Sequence, residues 1–151
     1  MRQLRCAPWL LAALTLLLVC MPASLRSQPA KVHRLVVHVS AGDPLTMNIA
    51  LNNAQNALSF WEQRGEAVQV EFVAIGPGLT MLRADTSPVK ARVSELAAKP
   101  GVRFSACGNT RAGMAKAEGH EIPLLPQAQV VPAGIARLME LEEQGWTYVR
   151  P

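Results

Sequence analysis

Cysteine is scarce in this 151-residue sequence, with three in all: Cys6, Cys20 and Cys107. Beyond residue 30, Cys107 stands alone, which excludes a disulfide framework and a cysteine-rich zinc site in that part of the chain. The three histidines, His33, His38 and His120, have no ligand spacing, so no metal is expected. The glycine stretch "GPGL" lacks the Gly-Lys-Ser/Thr ending of a phosphate loop. No Ser-His-Asp order or carboxylate pair stands out for hydrolysis. Charge is also modest, at 17% of residues, while half the residues are hydrophobic. That balance excludes a disordered chain, and 151 residues suit one ordinary domain.

The first thirty residues read differently from the rest. A short basic start, "MRQLR", precedes the uncharged apolar stretch "CAPWLLAALTLLLVCM" and then the small, polar "PASLRSQPA". Together these describe a secretory signal peptide over residues 1–27, with cleavage between 23 and 30. Ala23, Ser27 and Ala30 can each be the last residue removed. An uncleaved anchor is the alternative, although the apolar stretch falls short of the roughly 20 residues a bilayer requires. Val19 is too bulky before Cys20 for lipid attachment. Membrane contact is therefore expected only through this segment before cleavage, and the mature chain is expected to be periplasmic or otherwise exported.

Removing the leader takes Arg2, Arg5 and Arg26 with it. The 15 basic residues become 12, against 11 acidic ones. The net charge of +4 thus resides mainly in the leader, and no nucleic-acid partner is expected. Cys107 is then an unpaired thiol in an oxidising compartment. It must be buried, reactive or joined to another chain.

From residue 31 onward, strand and helix patterns alternate. "KVHRLVVHVS" (31–40) is a β-branched strand. Asp43 and Pro44 open a helix that Gly65 ends, with Ile49, Ala50, Ala54, Ala57, Leu58 and Trp61 on one face. "AVQVEFVAIGPG" (67–78) is a strand whose alternation merges into a continuous apolar run, as in a sheet covered on both sides. "LTMLRAD" is ambiguous. Ser87-Pro88 caps a helix over 89–99, "VRFSAC" is a third strand, and "TRAGMAKAEG" is a helix broken at Gly119. After two prolines comes a short strand at 128–131. A helix follows over 132–145, with Ile135, Leu138, Met139 and Leu141 inward, and "WTYVRP" closes as a strand. The order implies an α/β three-layer sandwich with a mostly parallel sheet of about five strands.

In such a sheet the loops after the strands gather on one edge, where ligands bind. Here they read "SAGDP", "GPG", "CGNT" and "PAG", placing Gly76, Gly78, Gly108, Asn109, Thr110 and Gly134 around Cys107 as candidate binding residues. A helix N-terminus offers unpaired N–H groups and partial positive charge, which favour thiolate over thiol. Arg111 can add to that effect, and Asn109 and Thr110 can cap the helix or orient a bound group. His120 can approach the thiol as a base. Against this, a lone cysteine after a strand can equally be a small buried hydrophobe. Asn52, Asn53 and Asn56 form an amide cluster that either reaches the glycine loops or is hydrogen-bonded within the core or an interface.

Three strings taken in order, "VEFVAIGPGLTML" (70–82), "GVRFSACGNT" (101–110) and "VVPAGIARLMELEEQGWTYVRP" (130–151), resemble the DsrE/DsrF-like proteins. Among these the similarity is to exported single-domain members with an "ACGNT" box, and it extends over about residues 32–151. The resemblance implies a flavodoxin-like sandwich assembled as a homotrimer or a hexamer. It also implies sulfur relay, in which Cys107 takes sulfane sulfur as a persulfide from a donor and passes it to an acceptor, either proteins or small sulfur compounds. No cofactor is implied. Two other roles stay open: a non-catalytic oligomeric module binding a small molecule, and a structural oligomer.

Overall fold

The computed structural model describes residues 31–151. The leader assigned to residues 1–27 and the cleavage positions up to Ala30 lie outside the described residues, as do Cys6 and Cys20. Among the described residues, no helix is long and apolar enough to cross a membrane.

Five strands, β1 (Val32–Val39), β2 (Ala67–Ala74), β3 (Val102–Cys107), β4 (Ala128–Val131) and β5 (Thr147–Val149), form one sheet in the order β4-β3-β2-β1-β5. Every pairing is parallel. The helices are α1 (Pro44–Glu62), α2 (Lys90–Ala97), α3 (Gly108–Glu118) and α4 (Gly134–Glu143), with a 3-10 helix over Gly76–Leu82. The result is a flavodoxin-like three-layer sandwich, although its strand order departs from the 2-1-3-4-5 of flavodoxin itself.

Handedness explains the layers. Steps β1→β2→β3→β4 all move one way across the sheet, so crossovers of one hand put α1, α2 and α3 on the same face. The return from β4 to β5 moves the other way and carries α4 to the opposite face. The main core records the first face: Val37, Val39, Val70, Phe72, Ala74, Phe104 and Ala106 of the strands meet Met47, Ala50, Leu51 and Ala54 of α1 and Val93 and Leu96 of α2. Phe72 and Phe104 stack with centroids 4.5 Å apart. On the second face a smaller cluster joins Val36 and Val73 to Leu138 and Leu141 of α4. The reversal falls between β3 and β4, whose following helices leave to opposite faces. A crevice is expected outside the ends of such a strand pair.

Local signals set most boundaries. Asp43 caps α1, its Oδ1 accepting from Thr46 N–H at 2.8 Å, and Pro44 is the first helical residue. Gly65, Gly119 and Gly145 follow the ends of α1, α3 and α4 with positive φ.

Several expectations need correction. Ile135 and Met139 of α4 do not face inward; they are 62% and 56% exposed. The helix touches the sheet along the Gly134–Leu138–Leu141 line, which leaves the flank with Ile135 and Met139 outside. Ile49 is likewise exposed, because Met47 and Leu51 take the inward positions of α1. Pro132 does not begin α4: Ala133 is still extended and the helix starts at Gly134. Ser87 is not a direct cap of α2, which begins at Lys90; its hydroxyl donates to Met81 O and accepts from Val89 N–H. The ambiguous "LTMLRAD" lies mostly in the 3-10 helix, which already starts at Gly76. Asn52 bonds Arg92 of α2 at 2.7 Å, while Asn53 and Asn56 are exposed, so the amide cluster ties helices together or meets solvent.

Candidate functional site

Cys107 ends β3 and caps α3 from the N-terminal side, and its residue is 4% exposed. The sulfur is buried, yet it faces a glycine turn. Gly134 N–H, at the start of α4, donates to Cys107 Sγ at 3.2 Å. Two helices leaving to opposite faces thus begin at one sulfur, α3 through its cap and α4 through its first N–H.

Glycine makes this approach possible. A Cβ on Gly134 would stand 2.6 Å from Ile75 Cγ1 and 3.1 Å from Cys107 Cβ. Gly78 permits a similar close contact in the 3-10 helix, where a Cβ would fall 2.1 Å from Val39 O. That contact seats the 3-10 helix against the end of β1. Gly76, at φ +56°, turns the chain out of β2, and its N–H donates to Thr110 Oγ1 at 3.0 Å. Gly108 opens α3, close to Val131 O and Pro132 O, and Asn109 N–H donates to Pro132 O.

Burial pushes the thiol pKa up, but the donors around the sulfur outweigh it. The Thr110 hydroxyl acts first, then the N–H groups of Gly134, Thr110 and Asn109, and the thiol ends below its ordinary value. Thr110 therefore works twice. It accepts from Gly76 N–H and keeps its own hydrogen for the sulfur, a chain in which each bond strengthens the next.

All seven candidate residues meet at this edge: Cys107, Gly76, Gly78, Gly108, Asn109, Thr110 and Gly134. Their roles differ from expectation in detail. Neither Asn109 nor Thr110 is the N-cap of α3, since the helix already begins at Gly108 and Cys107 occupies the cap. Arg111 turns away, its guanidinium donating to Ile122 O at 2.9 Å and meeting Glu121. His120 is no base for Cys107. It lies past the far end of the 11-residue α3, about 16 Å along the axis, with its ring on Glu121 O.

The residues that hold the site in place include some that the sequence does not single out. Glu71, at the centre of β2 and 1% exposed, receives Arg137 of α4 in a bidentate pair: Nε to Oε1 at 2.7 Å and Nη2 to Oε2 at 2.8 Å. Ser105 Oγ donates to the same Oε1 at 2.7 Å. Burial raises the Glu71 pKa, but Arg137 and Ser105 bring it below the usual carboxylate value. Arg137 lies three residues after Gly134, so this pair fixes the register of α4 that delivers Gly134 N–H to the sulfur. On the other side, Arg83 grips Glu118 of α3 and Asp85. The 3-10 segment thus braces α3 at both ends, through Gly76 to Thr110 and through Arg83 to Glu118.

Glu71 has a legible signal, a lone charge inside the apolar run "VEFVA"; Ser105 and Arg137 acquire meaning only through strand register and helix facing. Toward the β5 side of the sheet, His38 Nδ1 pairs with Tyr148 Oη at 2.8 Å, and burial followed by the Arg150 charge lowers its pKa. Among the described residues no cluster of three or more metal-ligating side chains occurs.

No family model matches the chain, and no curated protein matches it. A solved structure, that of a protein of unknown function, MTH1491, from Methanobacterium thermoautotrophicum, is similar. Identity is 33%, over 79% of this chain and 99% of that one, with a TM-score of 0.67.

Proposed function

The chain belongs to the family of that archaeal protein of unknown function, and from the chemistry of its own site we propose that it is a DsrE/DsrF-like sulfur-handling or thiol-redox protein acting through Cys107. The observation that carries this reading is the 3.2 Å bond from Gly134 N–H to Cys107 Sγ, joined by the other donors that hold the thiol below its ordinary pKa. Thiolate is the nucleophilic form of cysteine.

In the proposed step, Cys107 thiolate attacks the outer sulfur of a donor persulfide, R–S–SH. A new S–S bond forms on Cys107, the donor S–S bond breaks, and R–S⁻ leaves. The product, Cys107–S–SH, loses its proton readily, and the terminal sulfur anion is stabilised by the same N–H groups. Attack by an acceptor thiolate on that sulfur reverses the sequence and restores Cys107. No external oxidant is consumed. Because Cys107 is 4% exposed, the turns around it must open for a donor to reach it. Export through the leader and assembly as a homotrimer or hexamer belong to the same proposal.

The test is incubation of the reduced protein with a low-molecular-weight persulfide, followed by mass spectrometry. The reading expects a gain of one sulfur atom located on Cys107 and absent in Cys107→Ser. No adduct on a folded, reduced protein rejects it. The burial of Cys107 favours a second reading, a non-catalytic small-molecule-binding module in which Cys107 only lines the edge. In that case Cys107→Ser leaves assembly and ligand binding unchanged.

A further inference from the structure

The α4 face of the sheet carries a polar feature whose lining does not include Cys107. Helix α4 lies over β1 and β2 and reaches β3, and a cleft of about 230 Å³ opens beside it over β3 and β4. Its floor includes Arg103, Ser105 and Gln129, and its wall includes Ala133, Arg137 and Glu140. The volume is below the roughly 300–1,000 Å³ of drug-sized sites and suits a molecule of amino-acid size.

The charges in this cleft are arranged in an unusual way. A parallel sheet covered on both faces is normally apolar at its centre, and a buried ion pair there is no more stabilising than well-packed hydrophobic residues. Yet Glu71, 1% exposed, occupies that centre and holds Arg137 flat against the sheet. Arg137 also meets Glu140 at 3.1 Å, so one guanidinium is shared by two carboxylates. Glu140 is the exposed one of the two carboxylates. Across the cleft Arg103 is exposed; as the cross-strand neighbour of Glu71 its charge helps to lower the Glu71 pKa, but its guanidinium makes no ion-pair contact among the described residues. The four charged side chains balance, and the exposed two, Arg103 on the floor and Glu140 on the wall, complement a ligand bearing both charges. Ala133 and Val131 close one end with small apolar surface.

We propose that this cleft binds a small zwitterion of amino-acid size, its carboxylate on Arg103 and its ammonium on Glu140. The site does not depend on the sulfur chemistry of Cys107.

The test is an NMR titration of the isotope-labelled protein with L-serine and with γ-aminobutyrate, using acetate and methylammonium as single-charge controls. At least one zwitterion gives saturable shifts at the amides of Ser105, Gln129 and Ala133, and neither control does so at equal concentration. Arg103→Ala and Glu140→Gln, both at exposed side chains, each weaken binding roughly tenfold, as loss of a charged hydrogen bond implies. Cys107→Ser leaves the affinity unchanged, so failure of the sulfur proposal and failure of this one are distinguishable. Absence of saturable shifts with both zwitterions, equal shifts with acetate alone, or unchanged affinity in the two charge variants overturns the proposal.

Discussion

Substituting Gly134→Ala tests how closely the α4 terminus must approach the sulfur. The added Cβ would lie 2.6 Å from Ile75 Cγ1, 2.9 Å from Ile75 Cδ1 and 3.1 Å from Cys107 Cβ. Carbon contacts relax near 3.5–4.0 Å, so the start of α4 must retreat by about 1 Å. The Gly134 N···Sγ distance, now 3.2 Å, then opens to about 4 Å and the bond is lost. A hydrogen bond to a charged acceptor contributes about 1.5–3 kcal/mol, which lowers the thiolate population at a given pH by about tenfold or more. The less stabilised thiolate is a better nucleophile, which offsets about threefold of that loss. Iodoacetamide alkylation near neutral pH therefore slows by about threefold or more, and the midpoint of its pH–rate profile moves upward. Overpacking costs about 1–3 kcal/mol, so Tm falls by roughly 4–12 °C. Adding Ile75→Ala removes the main obstacle and restores the alkylation midpoint. An unchanged profile in Gly134→Ala, with the fold intact, would refute the claim that this N–H sets the sulfur's ionisation.

Other substitutions probe the same frame. Thr110→Val leaves Gly76 N–H without its acceptor and removes a donor from the sulfur; it costs about 1–3 kcal/mol in urea unfolding and raises the alkylation midpoint. Gly78→Ala sets a Cβ 2.1 Å from the backbone oxygen of Val39, where no side chain can swing aside, and destabilises by about 3 kcal/mol or more; a urea midpoint within error of wild type would contradict this. Arg137→Met strands the Glu71 carboxylate and costs about 3–5 kcal/mol at neutral pH. Its pH dependence also changes sign. In the wild type the Glu71 pKa is depressed, so its stabilisation is present above the unfolded value of about 4.3 and is lost as pH falls through the folded value. In the variant the unpaired carboxylate favours its proton, so stability rises as pH drops from 7 toward 5. Thermal melts across that range distinguish the two.

The architecture is open to reading because burial writes itself into strand sequences. "VEFVA" belongs to a run too apolar for a one-sided sheet, and Asp43-Pro44 and Gly119 punctuate helices by local rules that need no tertiary knowledge. The gathering of glycine turns around Cys107 follows from parallel topology. Two kinds of feature escape. The inward face of α4 is not legible at Ile135 and Met139 because apolar residues encircle more of that helix than the sheet can cover, and sequence alone does not say which stripe wins. The supporting contacts escape because they join distant positions. Glu71 and Arg137 are 66 residues apart, and Gly76 and Thr110 are 34 apart. Pairings of that kind depend on register between elements, which leaves no mark in either segment by itself.

The central claim is that donors from two helix starts hold the Cys107 sulfur as an anion more readily than a free thiol. The most direct measurement is the ultraviolet thiolate absorbance of the reduced protein against pH, taken as the difference from Cys107→Ser. The expected titration midpoint lies below about 8.5, the value of an unperturbed cysteine. A midpoint at or above that value would show that burial outweighs the N–H groups, and the sulfur would then be packing rather than chemistry.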